Sequence, residues 1–201
     1  VGQSNSYLKP HYINLIKPKG SIALLGFTNN EWFDGDLYDL QLNNWNINSD
    51  WKLDKKYDTI ISLRCPYFAK KPEDFIRRCY DSLNKNGILY ADWGLGDHWR
   101  FEKYKIGWIK DGEQEYVYGS DNYLWSTIWD DSFLESKAFK AFSNRVKKFG
   151  YNDVKKAIFE ETPQVLQLKI IKKYFDTSYN IIALWDDKPQ LYILIFGVKK
   201  D

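Results

Sequence analysis

The stretch YDTIISLRCPYFAKKPEDFIRRCYDSLNKNGILYADWG (Tyr57–Gly94) decides the fold of this chain. Its first seven residues are an apolar run rich in β-branched side chains, closed by Arg64-Cys65-Pro66. That is the pattern of a strand buried on both faces. Pro72-Glu73-Asp74 then opens a helix, with proline and acids in its first turn. Phe75, Ile76, Cys79, Tyr80 and Leu83 recur at helical spacing, and Asn84-Lys85-Asn86-Gly87 reads as a glycine C-cap. Gly87–Gly94 is a second apolar strand. Strand, helix and strand in this order predict a right-handed crossover in a parallel sheet.

Outward from that unit the chain adds compatible pieces. Upstream, Ser21–Asn30 (SIALLGFTNN) is an apolar strand running into a glycine, preceded by a polar lead-in, the apolar segment Tyr12–Ile16 and the turn Lys17-Pro18-Lys19-Gly20. Between Asn29 and Lys56, Asp36–Leu42 alternates as a strand would. Downstream, Asn180–Trp185 and Gln190–Lys200 form β-rich runs joined by the turn Asp186-Asp187-Lys188-Pro189. Between the two groups, the pattern of Phe133, Leu134, Ala138, Phe142 and Val146 predicts an amphipathic helix over 132–149, ending at Gly150. A further helix is expected over Gln164–Phe175. Strand-forming segments flank the middle of the chain, so 1–201 reads as a single domain with a cap-like insertion at about 95–175.

Composition narrows the classes. The 201 residues suit one domain with a sizeable core, and the 18% aromatic content, with nine Trp and fifteen Tyr, must be packed there or line a cleft. The formal charge is +2, too balanced for a surface that coats nucleic acid. Basic pairs at Lys70-Lys71, Arg77-Arg78, Lys147-Lys148 and Lys172-Lys173 read as solvated faces. Two cysteines and two histidines without metal-ligand spacing exclude a disulfide framework and predict no metal site. No apolar run is long enough to span a membrane, and VGQSNSYLKPHY has no signal-type apolar core. The expected location is the cytoplasm. Since methionine is absent, the chain has lost its initiator or is a fragment.

The segments Ser21–Gly94 and Asn180–Lys200 together resemble class I S-adenosylmethionine-dependent methyltransferases, whose seven-stranded α/β sheet ends in an antiparallel hairpin. The Tyr-Asp followed by an apolar strand, a loop, a helix closing on Leu83-Asn84-Lys85-Asn86-Gly87 and another strand carry most of the likeness. The resemblance implies an α/β, Rossmann-like methyltransferase fold, a mostly parallel sheet with a C-terminal antiparallel hairpin and an insertion before it. It implies S-adenosylmethionine as cofactor, held by Gly26, Phe27, Thr28, Asn29, Asp39, Ser62, Leu63 and Arg64. Asp36 is an alternative to Asp39 as the ribose-binding acid. The methyl acceptor is unknown and could be a small molecule, a nucleic acid or a protein.

Three departures from the family stand out. The glycine-rich turn after the first strand holds one glycine, in Leu25-Gly26-Phe27-Thr28-Asn29-Asn30. From Gly26 to Tyr57 there is about half the usual length. Arg64-Cys65-Pro66-Tyr67-Phe68 does not match the Asp/Asn-Pro-Pro-Tyr/Phe tetrapeptide of amino-methylating enzymes, and Cys65 reads as a packing residue. The cluster Asp92-Trp93-Gly94-Leu95-Gly96-Asp97-His98-Trp99-Arg100 should face the cleft. Asp92 and His98 are the candidate catalytic residues, and Trp93, Trp99 and Tyr67 the candidate substrate contacts. Tyr116, Tyr118, Tyr123, Trp125 and Trp129 read as packing of the insertion. The competing reading is a methyltransferase-fold protein that has lost catalysis and serves binding or assembly. A nicotinamide-dependent oxidoreductase is disfavoured, because Gly-x-Gly-x-x-Gly is absent.

Overall fold

The computed structural model describes residues 4–96, 106–110, 114–117, 126–150, 152–161, 164–184 and 190–201. Strands β1 (Ile22–Leu25), β2 (Asp36–Tyr38), β3 (Tyr57–Ser62), β4 (Leu83–Gly96), β9 (Phe175–Leu184) and β10 (Gln190–Lys199) form one sheet in the order β2-β1-β3-β4-β10-β9. The first four run parallel, and β10 lies antiparallel between β4 and β9. This is a Rossmann-like methyltransferase fold, with six strands in the sheet among the described residues where the resemblance implied seven. The missing strand belongs to the short stretch before Tyr57. That stretch holds only β2 and the one-turn helix α2 (Leu40–Asn43).

The sheet separates two cores. On one face, α1 (Ser4–Leu15) lays Leu8, Tyr12 and the following Ile16 over Leu24, Ile61, Leu63, Tyr90 and Leu194. On the other, α3 (Pro72–Ser82) buries Phe75, Ile76 and Cys79 against Ala23, Ile60, Leu89 and Ala91. The same core takes in α4 (Lys137–Val146), α5 (Val154–Glu161) and α6 (Leu168–Tyr174), through Phe142, Ile158 and Ile171. Every buried apolar side chain of these strands belongs to one core or the other, as a two-sided sheet requires.

Between β4 and β9 the chain forms β5 (Ile106–Lys110) paired antiparallel with β6 (Gln114–Val117), and β7 (Ser126–Trp129) paired parallel with β8 (Gln164–Gln167). Two sequence expectations shift here. Gln164–Phe175 is a strand followed by the short helix α6, because Val165 and Leu166 pair with Thr127 and Ile128. The helix expected over 132–149 is a chain of 3-10, α and 3-10 segments. Its α part begins where the Ser136 hydroxyl accepts the Phe139 N–H at 3.1 Å, and Gly150 closes the run at φ +88°.

Two further boundaries differ. Helix α3 stops at Ser82 and β4 begins at once, so Gly87 is no C-cap. Asn86 takes the left-handed conformation at φ 59°, and Gly87 allows the chain to pass close to the Asn84 carbonyl. Asp36–Leu42 is a strand only to Tyr38, since Asp39 caps α2.

Asp58 ties the amino end of the sheet together. Its Oδ2 accepts the Ser21 N–H at 2.8 Å and the Ser21 hydroxyl at 3.0 Å, and its Oδ1 accepts the Asn84 amide at 2.8 Å. Hydrogen bonding from Ser21 and then Asn84 holds its carboxyl below the ordinary range. The folded pKa is lowered, so this contribution is present above the unfolded carboxylate value and lost as pH falls through the folded one. Asp58→Ala should cost about 1–2 kcal/mol at neutral pH. In urea denaturation its deficit against the parent protein should shrink as pH falls below about 4. A pH-independent deficit would contradict this account.

Candidate active site

Parallel strands deliver the residues after their last hydrogen bond to one edge of the sheet, and here that edge carries two clusters. The first lies where β1, β2 and β3 end. Leu25 pairs with Tyr38, which places Gly26 beside Asp39, and the Gly26 N–H donates to the Tyr38 carbonyl at 2.7 Å. Asp39 caps α2, its Oδ1 accepting the Gln41 N–H at 2.8 Å. Its Oδ2 has no hydrogen-bond partner among the described residues and is available to a ligand. Asp36 lies at the opposite end of β2, bound by Lys55 at 3.0 Å and by the Tyr57 hydroxyl at 2.7 Å. Of the two acids only Asp39 stands at the carboxyl edge.

Gly26 does not leave an open cradle. It sits at φ +79°, and a Cβ built on it would lie 2.6 Å from the Cys65 Cβ and 2.7 Å from its Sγ. The missing side chain makes room for the loop after β3. The Ser62 hydroxyl reinforces this contact by donating to the Leu25 carbonyl at 3.1 Å. Burial pushes the Cys65 thiol up to about 12, so it packs as a neutral side chain. Phe27 folds onto Phe33 edge-to-face at 6.5 Å, while Thr28 and Asn29 are exposed.

The second cluster is built around Asp92 on β4, which is 1% exposed. Its Oδ2 accepts the Tyr12 hydroxyl at 2.6 Å, and its Oδ1 accepts the Arg64 backbone N–H at 2.6 Å. Arg64 is left-handed at φ 57°, and its half-buried guanidinium lies 4.7 Å from the Tyr192 ring centre and 5.4 Å from that of Tyr67. Burial pushes the Asp92 carboxyl up against the opposing pull of Arg64 and Tyr12, and burial with Asp92 beside it pushes the Tyr12 phenol up. Burial alone would lower the Arg64 guanidinium, yet Tyr192, Tyr67 and Asp92 around it hold it above its ordinary value.

The other candidates fall in different places. Leu63 is buried in the core under α1. Trp93 is fully buried on the opposite face from Asp92, edge-on to Phe75 at 6.4 Å, and its indole N–H has no partner among the described residues. Tyr67 is buried with its ring 4.3 Å from that of Phe68. His98 and Trp99 lie outside the described residues, as do Tyr118, Tyr123 and Trp125. Sequence reasoning missed Tyr12 and Tyr192, which complete the Asp92 cluster. Their only signals were a polar-looking helix with apolar residues at Leu8, Tyr12 and Ile16, and a tyrosine inside an otherwise aliphatic strand.

In fold the chain is similar to solved methyltransferases. No protein-family model matches the chain, and no curated protein matches it in sequence. A SAM-dependent methyltransferase of Thermotoga maritima matches at 12% identity and TM-score 0.44, over 96% of this chain and 89% of that one. A chain from the Haloferax volcanii complex between the Trm112 methyltransferase activator and a methyltransferase matches at 10% identity and TM-score 0.49, over 100% and 92%. Phosphoethanolamine N-methyltransferase 2 of Haemonchus contortus, solved with S-adenosyl-L-methionine, matches at 10% identity and TM-score 0.44, over 100% of this chain and 53% of that one. With TM-scores below 0.5, these likenesses add no weight to the strand order already described. Among the described residues, no helix is long and apolar enough to cross a membrane, and no group of three or more His, Cys, Asp or Glu could hold a metal ion.

Proposed function

We propose that the chain is an S-adenosylmethionine-dependent methyltransferase whose cofactor lies across the ends of β1, β2 and β3. The observation that carries this reading is Asp39, whose second carboxylate oxygen is unengaged directly beside the left-handed Gly26. One carboxylate at the end of the second strand can accept both ribose hydroxyls. The fit is to the ribose end of the cofactor, bordered by Thr28 and Asn29. It does not extend to a close approach at Gly26, where Cys65 fills the space. When bound, the sulfonium would supply an activated methyl group, and the chain's task would be positioning and exclusion of water.

On the acceptor side the proposed residues are Tyr67, Asp92, His98 and Trp99, joined by Arg64, which the sequence reading gave to the cofactor; Trp93, fully buried against Phe75, packs the core instead. Asp92 acts there by holding Arg64 and Tyr12, with both of its oxygens engaged. The insertion at about 95–175 is proposed as a cap. Its support is that the Ser126 hydroxyl donates to the Pro66 carbonyl at 3.1 Å and the Thr127 hydroxyl to that of Gly94 at 2.8 Å, both at this edge.

A second reading, a binding or assembly protein of methyltransferase fold without catalysis, is favoured by the contact of Gly26 with Cys65. One titration separates the outcomes. S-adenosylmethionine at a hundred times its Kd should stabilise the native protein by about 2.7 kcal/mol, raising Tm by about 5–10 °C. Asp39→Ala should weaken binding at least tenfold, while losing about 1 kcal/mol of stability with the α2 cap. No shift in the parent protein would remove the cofactor assignment. Binding without methyl transfer to any acceptor class would support the second reading.

A further inference from the structure

Beside α3 the surface is hollowed into a groove whose lining includes neither Asp39 nor Gly26. A cavity of about 340 Å3 bordered by the last two turns of the helix meets one of about 280 Å3 bordered by its first turn, and the two share Asp50 and Arg78. The floor includes Ile47, Trp51 and Leu53. Seven lysines and arginines line the two cavities against the three carboxylates Asp50, Asp74 and Asp81. The groove therefore carries +4 in a chain of net charge +2, and everything outside it sums to −2.

The carboxylates are engaged by arginine. Asp50 binds Arg78 at 2.6 Å, and Asp74 and Asp81 flank Arg77 at 3.6 and 3.7 Å. Lys55 is taken by Asp36. Lys52, Lys56, Lys70 and Lys71 have no carboxylate partner among the described residues, and they are spread along the groove rather than converging on one point. The groove runs beside an 11-residue helix, about 16 Å long. A line of unpaired cations over that length suits a linear polyanion better than a compact anion. A membrane surface would call for exposed apolar side chains among the cations, yet Tyr7, Ile13, Leu15, Leu40, Leu42 and Phe159 all lie elsewhere.

We propose that this groove binds the phosphate backbone of a single-stranded nucleic acid, with Lys52, Lys56, Lys70 and Lys71 as its phosphate contacts. Its upper end reaches the carboxyl edge, where the Lys70 N–H donates to the Asn48 side chain at 2.8 Å and the Asn48 amide to the Phe68 carbonyl at 3.0 Å. A strand lying there would lead toward the Asp92 cluster. That the strand is the methyl acceptor rests on the function proposed above. Binding itself does not. The balanced charge of the whole chain hid this segregation from the sequence.

The test is fluorescence anisotropy of the full chain with a labelled 12-nucleotide single-stranded RNA and its DNA equivalent, without S-adenosylmethionine. Log K should fall with log [salt] at a slope of about −3, roughly 0.7 for each of four phosphates. Reversal of the four lysines (K52E, K56E, K70E and K71E together) should weaken binding at least thirtyfold. A control with the same total charge change, K147E, K148E, K172E and K173E, should lose less than threefold. Thermal melts of both variants should match the parent protein, since all eight side chains are on the surface. Equal losses in the two variants would overturn the proposal by showing a general charge effect. So would failure of the parent to bind either strand, or binding to polyglutamate or anionic vesicles instead. A chain that is stabilised by S-adenosylmethionine but ignores the oligonucleotides loses this inference alone.

Discussion

Gly26→Val should destabilise the folded protein by more than about 3 kcal/mol. The left-handed backbone at φ +79° costs a side-chain-bearing residue about 1–2 kcal/mol, and a Cβ placed 2.6 Å from the Cys65 Cβ adds overpacking of about 1–3 kcal/mol. Valine, with two γ carbons, stands at the upper end of that range. In a chain of 201 residues this lowers Tm by about 6–12 °C. The geometry reverses the plain expectation for a glycine after the first strand of such a sheet, that a side chain there would exclude a cofactor and spare the fold. Cys65→Gly combined with Gly26→Ala should recover the steric part of the loss and leave the backbone part, so a double-mutant cycle should show a coupling of about 1 kcal/mol or more. A valine variant that melts with the parent would mean that the loop after β3 moves freely and the space beside Gly26 can open.

How much of this was legible beforehand depends on the kind of signal each residue leaves. Tyr57–Leu63 and Leu89–Ala91 are buried on both faces, and a continuous apolar run announces that directly. The C-terminal hairpin was equally plain, because Leu191–Ile195 has no other stable use than a central strand. Helix α1 was not legible: among its described side chains the buried ones are Leu8 and Tyr12, with Ile16 just beyond its end, and Pro10 lies among polar neighbours. Asp39 could be named as one of two ribose acids, but its selection over Asp36 required knowing that β2 ends at Tyr38. The meaning of Gly26 was hidden for a related reason. A glycine reports that something comes close, and sequence cannot say whether that is a ligand or, as here, Cys65. Asp92 was visible as an acid near the end of an apolar strand, whereas its partners Tyr12 and Arg64, 80 and 28 residues away in the chain, were not.

Asp92→Ala should be the most damaging single change at the candidate site. It would leave the Tyr12 hydroxyl and the Arg64 N–H without an acceptor, and remove the carboxylate that accompanies a half-buried guanidinium. Breaking a buried charged arrangement from one side costs about 3–5 kcal/mol, or about 6–20 °C in Tm. Asp92→Asn preserves the volume and one acceptor, so it should cost less, and its cost should depend on pH in a defined direction. Burial raises the Asp92 pKa in the folded state. The native protein therefore holds this proton more tightly than the unfolded chain, and its stability falls as pH rises from the ordinary aspartate value near 3.9 to the raised one. Asparagine carries no such titration. The deficit of the Asn variant against the parent should shrink across that window and stay constant above it, opposite in sense to the behaviour at Asp58, where the deficit shrinks toward acid. Equilibrium urea denaturation of both proteins from pH 4 to 8 measures the difference. A deficit flat across the whole range would show that Asp92 titrates as an exposed carboxylate does. The pull of Arg64 and Tyr12 on the carboxylate would then offset its burial in full.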